Sequence, residues 1–428
     1  MYIKYSFLLL FIMLTVGITN AQKKVKPLKT QEELSKQKVY RSLKDAMLNK
    51  KRVYILNLDN QHLLELSSKI GKLKNLQQLY IRNNKITTLP KELFMLQNLQ
   101  VLALGENKFI EIPADIVKLK NLEELDLFSN RITKVPDYIE QLTNLKNLDL
   151  NWNQIEVLPE SIGKLKELER LLIEKNKLKT IPKAVGNLTK LKELKISENQ
   201  IEKLPESIGN LKLITELNLE KNLLTVLPAS IGNMSNLHKI NISQNRLTSI
   251  PLELGKLQNI EELNLSNNKI KKVTGASINL PKAKSIDLSI NNITIFNADM
   301  KRLQNLENLD VSVNKLSAVP LNIGYASNLK TVYLNRNKII RVSGSISKLD
   351  KLEELDLSDN VIEKIDKSLG ALTSLKILRL SNNRLLYLNK QLSGMRALQE
   401  LYIENNPRLN DFQKKQVKKF FPKTKIYF

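Results

Sequence analysis

Few side chains in this 428-residue sequence could take part in chemistry beyond packing. Histidine occurs twice, at His62 and His238, and cysteine is absent, so a thiol nucleophile is excluded. Carboxylates gather in two places, Glu123, Glu124 and Asp126, and Glu353, Glu354 and Asp356. A pair of acids at the right separation can hydrolyse a glycosidic bond if burial raises one pKa. On an open surface such burial is not expected, so glycan hydrolysis is kept only as a remote alternative and the chain is expected not to be an enzyme. No residue cluster calls for a metal or a cofactor.

The side chains that stand out more are apolar: Phe128, the single tryptophan Trp152, and Leu172. Aromatic residues outside a core are enriched at binding hot spots. A second group is Ile290, Val313 and Tyr333. Whether either group can act together depends on the frame that carries it.

That frame has a period of 23 residues. The same polar type recurs at Gln61, Asn84, Asn107, Asn130, Asn153, Asn176, Asn199, Asn222, Asn245 and onward to Asn406, sixteen times without insertion or deletion. A strict period of this length means a stacked solenoid. Each unit reads L-x-x-L-x-L-x-x-N-x-L, as in Leu145, Leu148, Leu150, Asn153 and Ile155, followed by Leu158-Pro159, Ile162-Gly163 and Leu165. Leu148 and Leu150 have the period of a strand. Leu158, Ile162 and Leu165 have that of a helical or 3₁₀ return, begun by Pro159 and bent by Gly163. A buried amide both donates and accepts, so a stack of Asn side chains can satisfy the backbone groups that a tight coil turns inward.

Repeats that bury one another need capped ends. Thr30-Gln31-Glu32-Glu33 fits a capping box and Val39, Leu43 and Met47 follow at helical spacing, so one amphipathic cap helix is expected over residues 30 to about 50. Beyond Pro407, residues 410–421 look helical, and Ile426, 23 residues after Ile403, suggests a last strand. The domain plan is therefore a signal peptide at 1–21, a linker and N-terminal cap at 22–52, sixteen repeats over 53–406 and a C-terminal cap at 407–428.

With its Leu-Pro-x-x-Ile-Gly-x-Leu segment, this frame resembles the leucine-rich repeat proteins. Within them it is similar to the 23-residue subclass shared by plant intracellular Ras-group-related proteins and many bacterial ones. The resemblance implies an α/β horseshoe, with a concave parallel β-sheet and convex short helices or 3₁₀ turns. It also implies binding, usually of a protein, with no shared catalytic residue. Leu-Pro becomes Val273-Thr274, Phe296-Asn297, Val342-Ser343, Ile365-Asp366 and Leu388-Asn389, so the convex side of the C-terminal half is expected to be less regular.

On such a sheet the residues four and two before each ladder amide point outward, and the one just before it lines the rim. Most are small and polar. Phe128, Trp152 and Leu172 lie on successive repeats, with strands ~4.8 Å apart, and are expected to touch, with Glu124, Asp126 and the Asp149 column as an acidic rim. Ile290 and Val313 share a column, with Tyr333 following. The two histidines fall in the first and ninth repeats, too far apart to share a site.

The first 21 residues carry Lys4, an apolar stretch from Phe7 to about Ile18, and Thr19-Asn20-Ala21, the pattern of a secretory signal cleaved before Gln22. Export to the periplasm, cell surface or exterior is expected, and the lack of cysteine favours a bacterial protein. The net formal charge is +25, with lysines beside the return segments at Lys72, Lys74, Lys118, Lys120, Lys164 and Lys166. Such a basic edge could hold an anionic polysaccharide or the cell envelope. No nucleic-acid recognition motif accompanies it. A protein partner and a monomeric state are the expectations.

Overall fold

The computed structural model describes residues 27–428, so the signal-peptide segment lies outside the described residues. One parallel sheet of 18 short strands forms the concave side. Successive strands pair with a constant offset of one repeat, as in Glu124 with Asn147 and Asp126 with Asp149. Leucines between the outward positions, such as Leu125, Leu148 and Leu171, are at most 1% exposed and form a single continuous core.

The turn that ends each strand explains the ladder. The residue before each ladder amide has φ between 51° and 61° in all sixteen repeats, which turns the chain out of the sheet and strands several backbone groups. Asn153 shows how they are satisfied. Its Nδ2 donates to Leu127 O at 2.9 Å, Leu150 O at 3.1 Å and Asn151 O at 3.2 Å. Its Oδ1 accepts from Ile132 N at 3.0 Å. The amides therefore do not bond one another; each one ties its own turn to the preceding one. Gln61 is exposed and its Nε2 instead reaches Arg41 O at 2.7 Å, fastening the first repeat to the cap.

On the convex side the returns are 3₁₀ turns such as Glu160–Lys164, entered from Pro159. Gly163 serves close packing rather than bending. Its φ is not positive, and a Cβ there would lie 2.4 Å from Ala184 O on the next repeat. Where Leu-Pro is lost, the returning backbone regains an N–H. Short strands then pair on the outer side, Lys272–Thr274 with Ile295–Asn297 and Arg341–Val342 with Lys364–Ile365. Ser343, Asp366 and Asn389 replace proline by accepting a hydrogen bond from the N–H two residues on.

Both ends differ from expectation. The capping box of Thr30 and Glu33 opens only a short helix, Gln31–Ser35. Val39–Tyr40 then forms a strand against Ile55–Leu56, and a second helix covers Leu43–Leu48. The exposed sheet edge takes up Val39 and so splits the expected single helix. At the far end a helix spans Asp411–Phe420. Ile426 pairs with Leu401 rather than Ile403, because this longer return shifts the last register by two residues.

Replacing Asn153 by Ala orphans the Ile132 N–H and several carbonyls, each worth about 1 to 3 kcal/mol when buried unpaired. Asn153→Asp, which keeps the acceptor but loses both donors, is expected to be at least as harmful. Urea unfolding should show a loss of about 2 kcal/mol or more for either change, and a much smaller one for Gln61→Ala.

Candidate binding site on the concave face

Each outward column is a row of residues in register. Phe128 belongs to the column two before the ladder amide, and Trp152 to the positive-φ rim column of the next repeat. Their rings meet edge to face, with centroids 6.5 Å apart and an interplanar angle of 65°. Lys175, the next residue of the rim column, places Nζ 3.5 Å from the Trp152 ring centroid. Trp152 remains 51% exposed.

Leu172 does not share this display. It stands in the column of Asp126 and Asp149, pairs across the sheet with Asp149, and is only 8% exposed. Its neighbours in the floor column shield Leu172, whereas Lys195 of the next repeat in the same column is exposed. Leu172 instead helps to line a hollow of about 160 Å³ with Glu124, Asp126, Asp149, Arg82 and Arg170.

Asp126 and Asp149 form no rim either; they lie in the floor, with Glu124 in the column beside them. Asp126 is 7% exposed, accepts from Phe128 N at 2.9 Å, and is bound by Arg82 Nε at 2.6 Å. Asp149 accepts from Asn151 N at 2.9 Å and has no ion-pair partner among the described residues. Burial, reinforced by Asp126, pushes its pKa up to about 6 against the opposing backbone N–H of Asn151, Arg170 and Arg82. The expectation that this sheet offers no burial to raise a carboxyl pKa therefore fails at Asp149.

Glu124 has no ion-pair partner among the described residues, while the remaining acids are engaged. Glu123 pairs with Lys146 at 2.8 Å and Glu353 with Lys376 at 2.7 Å. Glu354 meets Arg379, and Asp356 accepts from Ser358 N at 2.9 Å. Among the described residues no group of His, Asp or Glu could hold a metal, and no helix is long and apolar enough to cross a membrane.

The family described as Leucine rich repeat matches residues 51–132 and 258–407 in overlapping segments, and the Leucine-rich repeat region matches 125–198 and 183–278. A solved LRR protein of Leptospira interrogans is 34% identical, with a TM-score of 0.77 over 92% of this chain and 100% of that one. The chain belongs to the leucine-rich repeat family. It is also similar to the plant peptide hormone receptor RGFR1 in complex with RGF2, 26% identical over 83% of this chain and 67% of that chain, TM-score 0.59. An internalin of Listeria monocytogenes, 23% identical over 74% of this chain and 90% of that chain, TM-score 0.60, shares the fold. No curated protein sequence matches the chain.

In this leucine-rich repeat horseshoe the second apolar group also divides. Ile290, 49% exposed, and Val313 are adjacent rim residues with φ of 55° and 52°. Tyr333 lies in the floor column between Asp310 and Asp356, where burial and Glu354 raise its pKa. β-Branched residues rarely adopt positive φ, whereas Asn and Asp tolerate it. The same column holds Asn60, Asn83, Asn267, Asp359, Asn382 and Asn405, which shows what the backbone favours.

Two features escaped the sequence argument. A trough of about 870 Å³ crosses the middle of the concave face, lined by the ion pairs Arg170–Glu193 and Lys239–Glu262 and by Asn218, Asn241 and Asn264. Its signal was present in the column six before each ladder amide, where Arg170, Glu193, Glu216, Lys239 and Glu262 carry charge through five successive repeats. Along the sheet's other edge Glu and Lys alternate by repeat and pair at 2.7 to 2.8 Å, as in Glu123–Lys146, Glu169–Lys192, Glu261–Lys284 and Glu307–Lys330. On the expected basic edge, Lys118 and Lys164 are partly neutralised by Asp115 and Glu140.

Ile290→Asn is expected to raise unfolding stability by about 1 kcal/mol, the cost of a strained backbone residue, and Asn267→Ile to lower it comparably; urea midpoints decide. Asp149 has its folded pKa above the unfolded value, so native protein binds the extra proton between about pH 4 and 6 and stability falls as pH rises through that window. Asp149→Asn should therefore stabilise the fold at pH 8, on the order of 1 kcal/mol given partial exposure, with no gain below pH 4.

Proposed function

We propose that this chain is an exported, non-catalytic recognition module that binds a protein partner on its concave face around repeats four to six. The observation that carries this is the Phe128 and Trp152 pair, a half-exposed indole held at a positive-φ position beside a second aromatic ring. The rest of that face is mostly polar, and large aromatic side chains concentrate binding energy where they desolvate. The receptor RGFR1, similar in fold and 26% identical, is solved with RGF2 bound, which supports recognition of a polypeptide. Export rests on the amino-terminal pattern of Lys4, the apolar stretch and Thr19-Asn20-Ala21.

A second reading, attachment to an anionic envelope polymer, draws on Lys72, Lys74 and Lys120, which have no acidic partner among the described residues. Phe128→Ala with Trp152→Ala should leave the fold intact and reduce capture of the partner from native envelope or culture supernatant at least tenfold. If the captured material is indifferent to both changes but is released between low and moderate salt, the lysine edge holds it instead.

A further inference from the structure

The hollow lined by Asp126, Asp149 and Leu172, on the same repeats as the aromatic pair, has an unusual balance of charges. Its two guanidinium groups are already engaged, Arg82 with Asp126 and Arg170 with Glu193, each at 2.6 Å. Glu124 and Asp149 line the same hollow and have no ion-pair partner among the described residues. Asp149 Oδ1 takes the single hydrogen bond from Asn151 N, and its other oxygen has none from the described residues. A half-buried carboxylate without a counter-ion is costly to keep charged, and a cation arriving beside it recovers that cost.

The remaining lining includes Asn147 and one apolar side chain of the outward columns, Leu172. Leu172 stands where the neighbouring repeats carry Asp149, Lys195 and Asn218, so the core does not require a leucine there. A ligand that fits has a short alkyl stem ending in a compact positive charge. At about 160 Å³ the hollow is of side-chain scale, below the roughly 300 Å³ and more of a small-molecule pocket. A lysine side chain from Cβ to Nζ has five heavy atoms. Arginine is longer, and its planar fork favours a bidentate carboxylate, whereas Asp126 and Glu193 already hold guanidinium groups.

We propose that this hollow is a socket for a lysine side chain of the partner protein, with Leu172 against the methylenes and Asp149 and Glu124 receiving the ammonium. The inference rests on the concave-face reading and gives its partner a chemistry. Because Asp149 titrates near pH 6 when the socket is empty, ammonium binding should lower that midpoint, and acid should weaken binding.

The test uses a capped glycine pentapeptide with a central lysine, and the same peptide with acetyl-lysine or norleucine, titrated into the full chain. NMR follows the Leu172 methyl groups and the Asp149 carboxyl group. The lysine peptide should shift Leu172 saturably and lower the Asp149 midpoint by more than half a pH unit, while the other two leave both unchanged. Asp149→Asn should weaken lysine-peptide binding at least tenfold and Glu124→Gln severalfold.

Equal binding of the norleucine peptide, or no response of Leu172 to lysine, overturns the socket. If that happens while Phe128→Ala with Trp152→Ala still abolishes partner capture, the concave-face reading stands without it. If the lysine peptide binds as expected and partner capture ignores the aromatic pair, the socket stands and that reading falls.

Discussion

The backbone turn at the end of each strand, and the single amide that satisfies it, set the terms for the rest of the molecule. A ladder Asn makes hydrogen bonds to two turns at once, donating three and accepting one, and it can do so only if the preceding turn arrives in fixed register. One inserted residue would carry the amide away from the preceding carbonyl and leave several buried groups unpaired. That is a physical reason for sixteen units without a single change of length. The ends solve the same problem by other means: Gln61 reaches into the cap, and Asn406 still ties Leu380 O while the last strand closes the sheet two residues out of step.

Fixed register turns the concave face into columns, and the columns differ in dielectric environment. Parts of the floor column are shielded by their neighbours, so burial raises the pKa of Asp149 and of Asp310. The strand-start edge is open to water, and there Glu and Lys alternate and neutralise each other with surface ion pairs of small individual worth. The same residue types therefore behave differently according to column. An aspartate in the floor is a potential ligand group, while a glutamate at the edge is mostly part of a solvated ladder.

This is also why the fold was more legible in the sequence than the site. Leu148, Leu150 and Asn153 announce strand and ladder because every repeat restates them, and packing leaves those positions one solution. Leu172 and Tyr333 were assigned to surface patches because alternation says only that a side chain points out of the core. It does not say how far the neighbouring columns close over it. The left-handed rim is signalled at Asn60, Asn83, Asn267, Asp359, Asn382 and Asn405 but hidden locally where Trp152, Ile290 and Val313 occupy it. Ion pairs one repeat apart, such as Arg170–Glu193, are visible only once the chain is folded into register.

The rim exceptions are not equivalent. At Trp152 the strain of a bulky residue at positive φ is offset within the chain, since the indole lies edge to face with Phe128 and under the Lys175 ammonium. Ile290, whose neighbours in the rim column are Asn267 and Val313, remains half exposed. Strain that the fold does not offset marks a position where some other demand acts on the residue, or where none acts and drift is tolerated. Strain offset by two built contacts indicates a side chain held in one orientation. An indole held in this way loses little freedom when covered, which is why we propose the Phe128 and Trp152 pair, rather than the Ile290 and Val313 pair, as the binding surface.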